Sequence, residues 1–255
     1  MRVNWFFFIC LILVIVVVVF PQIGSAAISL TGTTGLVNIP TAYIIPDGKI
    51  AFGYGYTDKE YSLYGPKYAQ VAYYATAGYF PFLEVSLRVT VFPGLIQPGK
   101  YGSAKDRMAS VKLRLLNESQ YLPSILIGSH DILTIHKKDY LKYYPNRNKR
   151  YNDMHFSSEY IVISKSLHSK IFDSLGIHLG YATKLFKEAT NYSMGGMFVG
   201  VDARLCRFLT IMGEYDTTKY NMGLRITPLG DIANIDLVVL DMKRISGGIS
   251  FSLGL

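Results

Sequence analysis

Between Ser110 and Leu115 long cations alternate with large aliphatics. Val111, Leu113 and Leu115 fall on one face, and Ser110, Lys112 and Arg114 on the other. A period of two is that of a β-strand with two different environments. A soluble sheet reads such a split as core and water; a membrane barrel reads it as lipid and lumen. The same alternation returns along the chain from Lys49 onward. It holds at Ile50–Tyr56, Val71–Tyr79, Leu83–Val91, Ile177–Ala182, Val199–Leu205, Tyr220–Ile226, Ala233–Val239 and Ile249–Leu253. A weaker run covers Ser124–Asp131, and Leu209–Tyr215 follows Leu205 almost at once. His155–Lys165 is also a strand, but its facing is open, because Tyr160 and Val162 oppose Ile161 and Ile163. No stretch carries a helical period. The pattern predicts about twelve strands of bilayer-spanning length, closed into an antiparallel barrel. Every strand offers an aliphatic face and little chain remains to cover it; closure also removes the sheet edges.

The start of the chain has a different character. An apolar run from Trp5 to Phe20 follows Arg2, and Gly24-Ser25-Ala26 supplies small residues for cleavage, so residues 1–26 read as a signal peptide. Residues 27–48 are rich in Gly, Thr and Pro and hold no single period. Pro40 and Pro46 exclude a central strand, and Pro46-Asp47-Gly48 signals a turn. This segment is expected to lead into, or tuck against, a barrel formed by residues 49–255.

The connections point the same way. Phe80-Pro81-Phe82, Asn117–Leu122, Cys206-Arg207 and Pro228–Asp231 read as short turns, and Phe92–Lys105 and Ile135–Asp153 as long loops. Short periplasmic turns and longer outer loops are the outer-membrane arrangement. Tyr79, Phe80 and Phe82 at one rim, and Tyr61, Tyr64 and Tyr68 at the other, would form aromatic girdles. Ser246, Gly248, Phe251 and Leu253 fit the closing-strand pattern that barrel-insertion machinery reads, although Leu255 stands where Phe is usual.

The runs TGLVNIPTA and PDGK, DRMASVKLRLL, YLPSILIGSHD, FSSEYIVISK, LGIHLGYA and EYDTTKYNMGLR, in that order, resemble the YjbH-like exopolysaccharide-biosynthesis family. The resemblance runs from Thr31 to Thr227. It implies an outer-membrane β-barrel tied to capsule or exopolysaccharide production in a Gram-negative envelope, and it implies no catalytic residues.

Chemistry-bearing residues fall into two groups. Glu84, Arg88, Lys112, Arg114, Asp202, Arg204, Arg225 and Asp236 take the lumen face of their strands. They are either an ion-paired filling or a charged conduit for an acidic polymer. The second group is the basic loop with Lys137, Lys138, Arg147, Lys149 and Arg150 among Tyr140, Tyr143 and Tyr144. It is either a solvated loop beside lipopolysaccharide phosphates or a glycan-binding surface. The net charge of +8 suits anionic partners, namely outer-membrane lipid, lipopolysaccharide or acidic polysaccharide. Export argues against nucleic acid. Ser129-His130-Asp131 cannot form a relay among themselves, since strand neighbours point to opposite faces. No nucleophile elbow, metal-type spacing or phosphate-binding loop is present, and no cofactor is implied. Cys206 would be the single thiol left after cleavage. The reading is a non-enzymatic outer-membrane barrel of polysaccharide production or export. The alternatives are a general structural barrel or small-solute pore, and less favourably a barrel enzyme.

Overall fold

The computed structural model describes residues 27–96, 102–132, 156–167, 172–183 and 194–254. They form a closed barrel of twelve antiparallel strands, each paired with its sequence neighbours. The strands are β1 (Lys49–Thr57), β2 (Gln70–Tyr79), β3 (Leu83–Ile96), β4 (Ser103–Leu116), β5 (Ser124–His130) and β6 (Ser158–Leu167). They continue as β7 (Ser174–Thr183), β8 (Gly196–Cys206), β9 (Leu209–Tyr215), β10 (Tyr220–Ile226), β11 (Ala233–Leu240) and β12 (Arg244–Gly254). Closure is made by β1 on β12, from Lys49 opposite Gly254 to Tyr56 opposite Gly247. Two single-turn 3-10 helices, Lys59–Tyr61 and Gly230–Ile232, lie in connections.

Alternation decides the facing of each strand. Phe52, Tyr73, Leu87, Ile161, Leu179, Val201 and Leu237 are exposed on the outer wall, while Thr76, Glu84, Lys112, Ser164 and Arg225 are buried within. An outer wall of aliphatic and aromatic side chains, around an interior that buries charged and hydroxyl groups beside apolar ones, is the arrangement of a membrane barrel rather than of a water-soluble sheet. The open question of β6 is settled by the same rule: Tyr160 and Val162 face inward, Ile161 and Ile163 outward.

Two expectations need correction. Phe92–Lys105 is not a long loop: β3 runs on to Ile96 and β4 begins at Ser103. A register shift between Phe92 and Ile96 absorbs Pro93 and Gly94, so the ladder continues past residues that would stop a regular strand. Tyr61 is not part of a rim girdle. Its hydroxyl donates to Asp241 Oδ2 at 3.2 Å and its ring packs against the interior cluster. Tyr79, Phe80 and Phe82 are exposed together at the rim where β1 starts and β12 ends, with the two Phe rings stacked at 5.5 Å.

Candidate functional site

The lumen is occupied by the chain's own N-terminal segment. Residues 27–45 are buried almost throughout, although only the isolated bridges Ile28–Thr34 and Gly35–Pro40 join them in pairs. The segment folds on itself through tight turns. Ser29 N donates to Thr33 O (2.9 Å), Leu30 N to Val37 O (3.1 Å) and Gly35 N to Ala27 O (2.9 Å). Its apolar side chains Leu30, Leu36, Val37, Ile39 and Ile44 meet Leu126, Val162, Phe198, Met212 and Val238 of the wall. The hydrophobic core of this barrel is therefore made between plug and wall. Glycine makes room for it: a Cβ on Gly200 would come within 2.5 Å of Leu36 Cδ1 and 2.6 Å of Ile39 Cδ1.

A segment without a sheet ladder leaves backbone groups that need partners. Buried wall side chains supply them. The Glu214 carboxylate accepts from the amides of Val37 (2.9 Å), Asn38 (2.8 Å) and Ile39 (3.3 Å), and from Asn221 Nδ2 (3.0 Å). Glu84 accepts from the amides of Thr34 and Ile45 at 2.9 Å each, and from the Thr34 hydroxyl at 2.8 Å. Lys112, directly opposite Glu84 in the ladder, donates to the carbonyls of Thr34 (2.7 Å) and Tyr43 (2.8 Å). Its Nζ lies 4.0 Å from the Glu84 carboxylate, and both side chains are fully buried. Opposite charges thus divide the work: the carboxylate takes the amides and the ammonium takes the carbonyls.

Arg225 does the same from β10. It forms a fork with the facing Asp236 at 2.7 and 3.0 Å, and donates to the carbonyls of Ile28 and Leu36 at 3.2 Å each. Charge-assisted, two-toothed contacts of this kind are among the stronger hydrogen bonds. Nearer the terminal rim, Ala42 is held on both sides: its amide donates to Ser164 Oγ (2.8 Å) and its carbonyl accepts from Ser124 Oγ (2.9 Å). Tyr43 donates to Glu118 Oε2 at 2.8 Å; burial and then the Glu118 charge hold its hydroxyl well above the usual tyrosine pKa, so it stays a donor.

Behind Ser164 lies a relay of three residue types from three strands. His178 places Nδ1 2.8 Å from Ser164 Oγ and Nε2 2.8 Å from Asp202 Oδ1. These are the groups of a nucleophilic triad, and none of them is a sequence neighbour of another. Ser164 and His178 are wholly buried, and the hydroxyl oxygen that would attack is engaged by the plug at Ala42. Chemically, the chain Asp202–His178–Ser164–Ala42 is a hydrogen-bond lock on the plug.

The expected lumen charges are therefore not one continuous lining. Glu84, Lys112, Arg225 and Asp236 surround the plug, and Asp202 is taken by His178. Arg88 lies higher, with Nε bonded to Thr90 Oγ1 (3.0 Å) and its guanidinium 4.6 Å from the Phe156 ring centre. Arg114 reaches the Pro81 carbonyl at the terminal rim, and half-buried Arg204 sits there opposite Ser174 and Thr210. Glu159 and Lys165 share the outward parity of Ile161; Lys165 is covered near the terminal rim, 3.3 Å from Glu118. The sequence points to a segment that leads into or tucks against the barrel, but not to its place in the lumen or to its partners Glu214, Ser124 and Ser164. The basic loop with Lys137, Lys138, Tyr140, Tyr143, Tyr144, Arg147, Lys149 and Arg150 lies outside the described residues.

The plug, its partners Glu84 and Lys112, and the first five strands are also where the chain is similar to known proteins. Residues 28–141 match the YjbH family model, "Exopolysaccharide biosynthesis protein YbjH". The matched stretch includes most of the plug and β1–β5. An Escherichia coli (strain K12) protein named "Uncharacterized lipoprotein YjbH" is 32% identical over 111 residues. That alignment covers 40% of this chain and 14% of the longer relative. A β-barrel fold and a lipoprotein relative are both compatible with a place in the cell envelope.

Proposed function

We propose that this chain is a non-enzymatic outer-membrane β-barrel of exopolysaccharide production, closed by its own N-terminal segment. The observation that carries the membrane reading is the outer wall, with exposed apolar side chains on strand after strand, while the charged and hydroxyl groups Glu84, Lys112, Ser164 and Arg225 are buried inside. A barrel satisfies all backbone groups in lipid without an edge, which an open sheet cannot do. The polysaccharide reading is supported by the YjbH match over the plug and the first five strands. The occupied lumen favours a closed component over the small-solute pore. The burial of Ser164 and His178 favours a structural lock over a barrel enzyme. The basic, tyrosine-rich loop from Lys137 to Arg150 is proposed to face lipopolysaccharide or acidic polysaccharide outside the cell.

The test is a strain lacking the gene, complemented with the full chain. Fractionation should recover the protein in the outer membrane, with heat-modifiable migration on a gel. Deletion should lower secreted or capsular polysaccharide, and the full chain should restore it. Unchanged polysaccharide in the deletion strain removes the proposed role; recovery in the soluble fraction removes the membrane assignment.

A further inference from the structure

The outer wall carries two cations that the barrel itself leaves unpaired. Lys105 and Arg107 stand two residues apart on β4, with the outward parity of Val111 and Leu113, and both are exposed. Across the ladder they face Val91 and Val89 of β3, so neither meets a carboxylate there. Among the described residues neither makes an ion pair or a side-chain hydrogen bond. A charge on a lipid-facing wall is costly at mid-depth and tolerated near the headgroups. β4 begins at Ser103, on the rim opposite the chain ends, and both cations lie near that end.

The neighbouring wall marks the same level. Arg107 continues the row Tyr54, Tyr73 and Val89, and Lys105 continues the row Tyr56, Val71 and Val91. Tyr54, Tyr56 and Tyr73 are exposed, and the Tyr54 and Tyr73 rings meet edge to face at 5.6 Å. Tyrosines on a membrane wall gather where the acyl region gives way to headgroups. The next row toward the terminal rim, Phe52, Ala75, Leu87 and Ala109, is wholly apolar. The Cα atoms of Lys105 and Arg107 are about 7 Å apart, the repeat of one strand face. One anion can therefore meet both side chains, and an anion above an apolar wall arrives on a lipid. A phosphomonoester brings up to two negative charges and several acceptor oxygens, which suits an ammonium and a guanidinium together. A phosphodiester headgroup brings one charge.

We propose that Lys105 and Arg107 form a binding site for a phosphate group of lipid A, the membrane anchor of lipopolysaccharide, with its acyl chains against the apolar row beneath. The site is separate from the Lys137–Arg150 loop. It rests on the outer-membrane reading.

Full chain in detergent micelles is titrated with diphosphoryl lipid A, with lipid A stripped of its phosphates and with phosphatidylglycerol, and bound lipid is read by native mass spectrometry. Diphosphoryl lipid A should bind best, and added salt should weaken it. Lys105→Ser together with Arg107→Ser should weaken it about tenfold, and each single substitution about threefold, as expected for exposed charge contacts. Arg207→Ser, an exposed cation at the terminal rim, should change nothing. Heat-modifiable migration checks that each barrel is folded, and the single variants guard against the double one failing to fold. Equal affinity in the Lys105 and Arg107 variants overturns the proposal. So does equal binding of the stripped lipid or of phosphatidylglycerol, or a loss that Arg207→Ser shares. These outcomes stand apart from fractionation: a chain recovered in the outer membrane whose variants bind lipid A unchanged loses this site and keeps its location.

Discussion

The carboxylate of Glu214 lies 2.9 Å from the amide nitrogen of Val37, across 177 residues of chain. It ties β9 to the turn of the plug, and it accepts two further amides in succession at Asn38 and Ile39. One side chain therefore does for the plug what a strand neighbour would do for a strand. Glu214→Gln keeps the shape but puts an NH2 group where an acceptor oxygen stood, facing backbone donors. Hydrogen bonds to charged groups contribute roughly 1.5–3 kcal/mol each, so a loss on the order of 2 kcal/mol is expected. Urea titration of the refolded barrel should show a lower midpoint; an unchanged midpoint removes Glu214 from the plug's support.

The Arg225–Asp236 fork predicts strong non-additivity. Arg225→Met leaves Asp236 buried and unpaired, which costs about 3–5 kcal/mol. It also frees the carbonyls of Ile28 and Leu36. Arg225→Met with Asp236→Leu removes both charges and should be less damaging than Arg225→Met alone. A double-mutant cycle in denaturant measures this. Simple addition of the two single costs would mean that the pair is not coupled in the folded barrel.

The lock at Ser164 makes a prediction about reactivity. With its oxygen engaged by Ala42 and no exposed surface, Ser164 should not react with a fluorophosphonate probe in the native barrel. Ser164→Ala should leave polysaccharide output near wild type and lower stability by about 1 kcal/mol, through the unpaired Ala42 amide and His178 Nδ1. Rapid, Ser164-dependent labelling would turn the Asp202–His178–Ser164 relay into an active site.

The wall was legible because side-chain parity carries it. Lys112 between Val111 and Leu113 separates two faces, and the same parity marks the other strands except β6, where apolar residues stand on both sides. The length of β3 and β4 was not legible, since Pro93 and Gly94 read as a stop and only the register shift shows otherwise. That the segment before β1 tucks into the lumen was hidden for a different reason. Its contacts use backbone amides and carbonyls, which leave no pattern in its own side chains. Its partners Glu84, Lys112, Glu214 and Arg225 look like ordinary lumen charges. Ser164, His178 and Asp202 become a relay only because β6, β7 and β8 are adjacent; in the sequence they are three unrelated polar residues.

The central claim is that the lumen is closed by residues 27–45, and conductance tests it most directly. Purified full chain in planar bilayers should insert and stay electrically silent. Gly200→Leu, whose side chain would occupy the space of Leu36 and Ile39, should loosen the plug and give flickering conductance. A chain lacking residues 27–45, refolded and shown to be a barrel by heat-modifiable migration, should give steady ion-conducting steps. Steady conductance from the unaltered chain, equal to that of the shortened one, would contradict the account.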